Sequence, residues 1–138
     1  MQIAETAKRE GKLSRVFLEG GIATPHDLVA MFKMPSNIPV FAFQNGTPLG
    51  FGWLNGVSGN RAFGHFCMLE AARGRLALRS FRLFLTYWLS LQKGGEPILD
   101  TILGVIPESN DVAIRFAQAC GCVRVGSIPG MMRNAYSG

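Results

Sequence analysis

The sequence has few of the residues that build metal centres and covalent cross-links. Its 138 residues include two histidines and three cysteines. Cys67, Cys120 and Cys122 show no Cys-x-x-Cys spacing, and their odd number argues against a disulfide framework. With so few ligands, a metal site is not expected. Each cysteine stands in an apolar run, so we expect all three to be small core residues.

A leader segment and long apolar runs are also lacking. Residues 1–10 are polar and helical in character, which does not fit a signal peptide. The apolar-rich stretch 81–91 is too short to span a membrane and is interrupted by Arg82. The sequence therefore predicts a cytoplasmic protein with no membrane partner.

Signature motifs of several enzyme classes are missing as well. There is no Gly-x-x-x-x-Gly-Lys loop, no Gly-x-Ser-x-Gly, no His-Glu-x-x-His and no pair of carboxylates at a useful spacing. Charged residues make up only 17% of the chain against 48% hydrophobic residues. This balance predicts one domain over residues 1–138 with a substantial core. It also leaves open an apolar surface that meets a ligand or a second copy in a homodimer.

The net charge of +5 comes with a cluster of arginines at positions 73, 75, 79 and 82. Arginine suits phosphate, because its planar guanidinium makes bidentate contacts. A nucleotide-like cofactor, a nucleic acid and a merely solvated helix face all fit such a cluster. Nucleic acid is the least favoured, because aromatic residues do not interleave with the arginines.

Hydrophobic periodicity predicts the order helix, helix, three strands, helix, strand, helix, strand and a short last strand. The predicted helices cover 3–18 with a weak point at Gly11, 25–32, 76–91, and a span from a cap at Ser109 or Asn110 to Cys120. The predicted strands cover 39–43, 48–57, 61–69, 98–106, 123–128 and 131–136. This order predicts an α/β (α+β) domain with a mixed, mostly antiparallel central sheet and helices on both faces.

The loop after the third strand resembles the cofactor loop of the GNAT superfamily of N-acetyltransferases. Residues 66–69 resemble the apolar end of the family's fourth strand, and residues 73–78 resemble its loop of pattern Gln/Arg-x-x-Gly-x-Gly/Ala. Arg73 matches the first position, whereas Leu76 and Leu78 stand where small residues are expected. In such a loop, bare amides and a helix N-terminus hold the pyrophosphate of acetyl-CoA.

A second stretch, Gly104 to Ile128, resembles the family's strand-helix-strand unit. Residues 105–113 match Val-x-Pro-x-Asn-x-x-Ala with one extra residue, and Gly121 falls on the family's glycine. Cys122 replaces the usual phenylalanine after it. A capped helix between two strands of another α/β protein gives a similar pattern. The two motifs cover roughly the second half of the chain.

The resemblance implies acetyl transfer from acetyl-CoA to an amine on a small molecule or a peptide. It implies cofactor contacts from Met68, Leu69, Arg73, Gly74, Arg75, Leu76, Ala77 and Asn110. A catalytically degenerate binding or assembly protein with the same fold is the alternative. Calorimetry or a thermal shift with acetyl-CoA separates the two.

The chemistry requires a base for the ammonium, an amide for the carbonyl and an acid for the thiolate. His65, whose pKa is ordinarily near neutral, is the first candidate base, and Glu70 is the second. A structural histidine beside the sheet is the alternative for His65, and an N-terminal helix charge is the alternative for Glu70. The family's acid is often a tyrosine at the position of Ala117, which leaves Tyr136 as the nearest substitute.

Overall fold

The computed structural model describes residues 1–17 and 20–130. Five helices and six strands are present in that part of the chain. The helices are α1 (Gln2–Arg9), α2 (Leu13–Val16), α3 (Pro25–Phe32), α4 (Arg75–Ser90) and α5 (Asp111–Ala119). The strands are β1 (Ile38–Gln44), β2 (Thr47–Ser58), β3 (Arg61–Met68), β4 (Gln92–Lys93), β5 (Glu96–Pro97) and β6 (Thr101–Leu103). None of these helices is long and apolar enough to cross a membrane.

The central sheet has the order β1-β2-β3-β6, and this confirms the predicted mixed and mostly antiparallel sheet. Strands β1, β2 and β3 form an antiparallel meander, joined by turns at Asn45-Gly46 and at Gly59. Strand β6 lies parallel to β3 over three residues only, Arg61–Phe63 against Thr101–Leu103. Helices cover both faces of the sheet.

On one face, α1 and α3 close an apolar group that we call the α1/α3 cluster. Its buried members are Ile3, Ala4, Ala7, Leu13, Leu28, Phe51, Trp53, Cys67 and Leu69. The sequence determines how α3 begins. Thr24 accepts a hydrogen bond from the Asp27 amide at 3.1 Å, and Asp27 accepts one from the Thr24 amide at 3.0 Å. This reciprocal cap and the proline that follows fix the direction of α3 across the sheet.

On the other face, α4 closes the α4 cluster. Its buried members are Leu54, Ala62, Phe81, Phe84, Trp88, Leu99 and Cys120. The glycines of β2 turn toward this face, and the rings of Trp88 and Phe84 lie directly over Gly52. A side chain on Gly52 would prevent that contact, so the Gly-x-Gly pattern of β2 sets how closely α4 approaches the sheet.

Several sequence predictions were wrong in detail. The strand predicted over 98–106 is a strand only over Thr101–Leu103, and the small β4-β5 hairpin, which turns at Gly94-Gly95, was not predicted. The predicted strand 123–128 is not formed, and its residues are exposed, Val125 by 88%. An alternating apolar pattern makes a strand only when a sheet edge is there to receive it.

The cysteine prediction was right for two positions and wrong for the third. Cys67 and Cys120 are buried, but Cys122 is exposed, because the chain turns outward at Gly121, where φ is +98°. The predicted break in the first helix at Gly11 is confirmed by the separate helices α1 and α2. The predicted strand 131–136 and Tyr136 lie outside the described residues.

Candidate active site

The candidate site lies along β3, beyond the point where the neighbouring strand β6 ends. The Leu69 amide donates to the Leu49 carbonyl at 2.9 Å, which makes this pair a hydrogen-bonded rung between β3 and β2. Hydrogen-bonded and non-bonded pairs alternate along an antiparallel ladder, so the peptide groups of Met68 and Phe66 point away from β2. Strand β6 has ended by that level, and in the described chain it offers them no partner.

This geometry separates two residues that the sequence could not rank. Met68 and Leu69 were both candidates for the amide that polarises a carbonyl. The Leu69 amide is already bonded to β2, whereas the Met68 amide faces the space beside β3. We refer to this space, along residues 64–68 beyond the end of β6, as the β3/β6 gap.

Helix α4 follows the gap after the short 3-10 turn Glu70–Ala72, with Gly74 as its N-cap residue. Gly74 has φ +65°, a conformation that favours glycine, and no described side chain caps the helix. The first backbone bond of the helix runs from Leu78 to the Gly74 carbonyl. The amides of Arg75, Leu76 and Ala77 therefore have no intrahelical partner and can hold an anion.

The two leucines at motif positions of small residues pack into the core. Leu76 packs against the small buried group of Leu49, Ala72 and Ala77, and Leu78 packs against the α4 cluster. Both side chains are thus accounted for by apolar contacts beneath the helix. The departure from the family pattern fills the core, and the residues at the turn itself, Arg73 to Arg75, are exposed.

The four clustered arginines do not act together. Arg82 donates to the Ala119 carbonyl at 3.1 Å and so caps the C-terminus of α5. Arg79 lines a groove of about 560 Å³ between β1 and α4. Arg73 and Arg75 are exposed at the start of α4 and make no hydrogen bond to the described residues. Only these two arginines of the cluster flank the free amides.

His65 stands on the opposite face of β3, in the α1/α3 half of the molecule. Its ring stacks on Trp53, with ring centroids 4.6 Å apart and planes 13° apart, and Phe17 also stacks on Trp53, with ring centroids 5.3 Å apart. Its Nε2 lies 3.0 Å from Oδ1 of Asn55. Burial lowers the pKa of His65 below its usual 6.5, so the imidazole is neutral at physiological pH.

The structure does not bring Glu70 to His65. Glu70 follows the end of β3, and the three residue-to-residue steps from His65 to Met68 alone span about 10 Å. Its side chain is exposed, and its amide donates to Glu10 at 2.8 Å, which ties the 3-10 turn Glu70–Ala72 to α1. The role of Glu70 as a base stays a prediction.

Two further predicted positions lie on α5. Asn110 is the N-cap of this helix and accepts a hydrogen bond from the Ala113 amide at 3.1 Å, so its side-chain oxygen is occupied. Its role as a cofactor ligand stays a prediction. Ala117, at the position of the family's tyrosine, is buried. Phe116 of the same helix packs against Phe66 of β3.

Sequence reasoning did not identify Asn55 and Trp53 as partners of His65. Counting outward from the turn at 58–60 pairs Leu54 with His65. A register shift between Asn55 and Ser58 instead places Trp53 opposite His65 and Asn55 diagonally across on the same face, so the turn alone gives no signal for these partners.

The fold is similar to that of several solved acetyltransferases. The aminoglycoside acetyltransferase AAC(6')-Ib, in complex with ribostamycin and coenzyme A, is 18% identical with a TM-score of 0.72, over 92% of this chain and 79% of its own. The spermidine N-acetyltransferase of Vibrio cholerae, in complex with CoA and spermine, is 14% identical with a TM-score of 0.69, over 91% of this chain and 75% of its own.

The N-acetyltransferase PseH of Campylobacter jejuni, in complex with acetyl coenzyme A, is 10% identical with a TM-score of 0.58, over 75% of this chain and 70% of its own. Against another structure of the Vibrio cholerae enzyme, the chain spans 64% of that protein's length, just under two thirds. No protein-family profile and no curated protein matches the sequence. The structural likeness confirms the fold that the resemblance predicted.

Proposed function

We propose that this chain, which has the GNAT fold, is an N-acetyltransferase that moves an acetyl group from acetyl-CoA to an amine. One observation carries the proposal: the free peptide groups of the β3/β6 gap lead directly to the uncapped N-terminus of α4. An extended ligand that ends in a pyrophosphate matches this order of hydrogen-bond donors. Its extended part can pair with the free edge of β3 as a strand would, and its pyrophosphate then reaches the anion site at the start of α4.

Each part of the site has a task in this proposal. The amides of Arg75, Leu76 and Ala77 hold the pyrophosphate, and Arg73 and Arg75 supply the positive charge. The Met68 amide donates to the thioester carbonyl and stabilises the negative charge that grows on its oxygen. Acetyl-CoA supplies an activated acyl carbon with a thiolate leaving group.

His65 is the proposed general base. It is neutral near pH 7, so it can take a proton from the ammonium form of the acceptor and release the amine that attacks. The amine nitrogen forms the new bond to the acyl carbon as the carbon–sulfur bond breaks, and the thiolate leaves as a thiol after protonation. We assign no residue to that last proton transfer, since Ala117 has no acidic group.

The acceptor is proposed only as an amine. Two of the similar structures were solved with amine-bearing molecules, one with spermine and one with ribostamycin. At 14% and 18% identity these define a chemical class and no particular substrate. The His65 side of the sheet, where α1 and α3 cover the aromatic rings, is the proposed acceptor side.

A thermal shift or calorimetric titration with coenzyme A and acetyl-CoA tests the donor site. Ligand at 100 times its Kd stabilises the folded state by about 2.7 kcal/mol. Arg73→Ala and Arg75→Ala are expected to weaken binding by roughly tenfold each, through loss of charge-assisted bonds. Arg61→Ala is the matched control, because Arg61 is an exposed arginine at the opposite end of β3.

Turnover is measured with acetyl-CoA and a panel of polyamines, aminoglycosides and peptide amines. His65→Gln is expected to keep coenzyme A binding and to lose about 10²- to 10⁴-fold in kcat. Absence of any stabilisation by saturating coenzyme A contradicts the proposal. Binding without turnover of any amine supports the alternative of a degenerate binding or assembly protein.

A further inference from the structure

The ring of His65 is held by stacking. Trp53 lies against its face, and Phe17 in turn stacks on Trp53, so the imidazole plane is fixed by packing. The remaining freedom of the side chain is which nitrogen carries the proton. That choice is set by the hydrogen bond to Asn55, since the donor–acceptor distance of 3.0 Å is that of a formed bond.

Asn55 presents its side-chain carbonyl to His65. The oxygen Oδ1 is an acceptor only, so with this orientation of the Asn55 amide the Nε2 atom that faces it is the protonated nitrogen of the neutral ring. Nδ1 makes no hydrogen bond to the described residues, and it is not among the buried polar atoms that lack a partner. Within residues 1–17 and 20–130, nothing occupies its lone pair, which can accept a hydrogen bond from a bound molecule.

We propose that Asn55 is a positioning residue that holds neutral His65 as the Nε2–H tautomer and makes Nδ1 the atom that accepts the acceptor's proton. The second part of this proposal rests on the proposed acetyltransferase function. The first part does not, because the tautomer is a property of the free protein.

The pKa of His65 is sensitive to a charge at position 55. Among the described residues no charged side chain hydrogen-bonds the imidazole, and burial is the cause that lowers its pKa. The nearby charges of Glu10 and Lys12, in the segment between α1 and α2, affect the pKa of Cys67, which lies two residues further along β3. A carboxylate at position 55 would be the first charge within hydrogen-bond distance of the ring, and opposite charge favours the imidazolium.

The tautomer is read directly from nitrogen-15 spectra of the full chain. The protein has two histidines, and His26 is an exposed residue in the first turn of α3, so it serves as an internal reference. His26→Gln assigns the signals. We expect the His65 Nε2 signal at the position of a protonated nitrogen and the Nδ1 signal at the position of an unprotonated nitrogen. A protonated Nδ1, or an averaged pair, overturns the proposal.

Two substitutions separate positioning from mere packing. Asn55→Asp keeps the shape and the acceptor, so it retains the Nε2–H tautomer and raises the pKa of His65. The acid limb of kcat/KM then moves to higher pH, because the base must be neutral. Asn55→Leu removes the acceptor, and we expect mixed tautomers and a kcat about 10- to 100-fold lower at unchanged KM for acetyl-CoA.

The outcomes distinguish this proposal from the proposed function. A wild-type chain that transfers no acetyl group refutes the proposed function and the proton-accepting role of Nδ1, whereas the spectra still decide whether Asn55 sets the tautomer. An active enzyme whose Asn55→Asp pH profile coincides with that of the wild type overturns the positioning role alone. Asn55→Asp is isosteric, so it decides the matter even where Asn55→Leu fails to fold.

Discussion

Substitution of Gly52 by alanine tests how closely α4 packs against the sheet. A Cβ atom at this position would lie 2.8 Å from the His65 carbonyl oxygen and 3.0 Å from Cη2 of Trp88. The carbonyl belongs to the paired strand β3, and Trp88 is fully buried, so neither atom can move away without cost. Gly52→Ala must therefore push α4 outward or distort the β2–β3 ladder.

The expected magnitude follows from these contacts. Overpacking of a rigid site costs about 1–3 kcal/mol. Replacing glycine by alanine returns roughly 0.4–1 kcal/mol, since it restricts the unfolded chain. We expect a net loss of about 1.3 kcal/mol in the free energy of unfolding. For a chain of this length that loss lowers Tm by about 4–5 °C.

Urea denaturation followed by tryptophan fluorescence measures the loss, because Trp53 and Trp88 are the two tryptophans and lie on opposite faces of the sheet. Gly126→Ala is the matched control, since a Cβ there meets nothing within 4 Å and its φ is not in the left-handed region. An unchanged midpoint for Gly52→Ala would refute the close packing of α4 on β2.

Three further measurements test other contacts. Only Cys122 is expected to react with an aromatic disulfide reagent in the native state, because Cys122 is exposed whereas Cys67 and Cys120 are buried, and burial raises the pKa of Cys67 to about 12; rapid reaction of Cys67 would contradict its burial. Thr24→Ala should cost about 1 kcal/mol of stability in urea through loss of the α3 cap, and a cost near zero would mean that the cap contributes nothing. The free energy of unfolding should fall as the pH drops below about 6.5, since the unfolded chain protonates His65 first; a His65→Gln variant with the same pH dependence would disprove this.

Local pattern was enough to predict the elements whose neighbours are close in sequence. The meander β1–β3 follows from alternating runs and tight turns, and α4 from its wide apolar face. The length of β6 and the fate of residues 123–128 depend on which sheet edge is available, and that is decided by contacts distant in the chain. A prediction from local sequence pattern takes no account of these distant contacts.

The candidate site, like the fold, was predictable from the sequence only in part. His65 and the Arg73–Arg75 turn were identifiable because their residue types and positions carry a chemical meaning. The free amide of Met68 and the bond from Asn55 to His65 depend on strand register, which alternates with every residue. The separation of the four arginines depends on where α5 ends, because the Ala119 carbonyl at that end accepts a hydrogen bond from Arg82.

The two buried groups on opposite faces of the sheet share no side chain. Among the described residues the backbone of β2 and β3 separates the two clusters, so substitutions in the α1/α3 cluster and in the α4 cluster should have additive effects on stability. Leu28→Ala and Phe84→Ala are a suitable pair for a double-mutant cycle. Such independence gives the molecule two surfaces that can diverge separately. One face can acquire a new partner by mutation while the other keeps its shape.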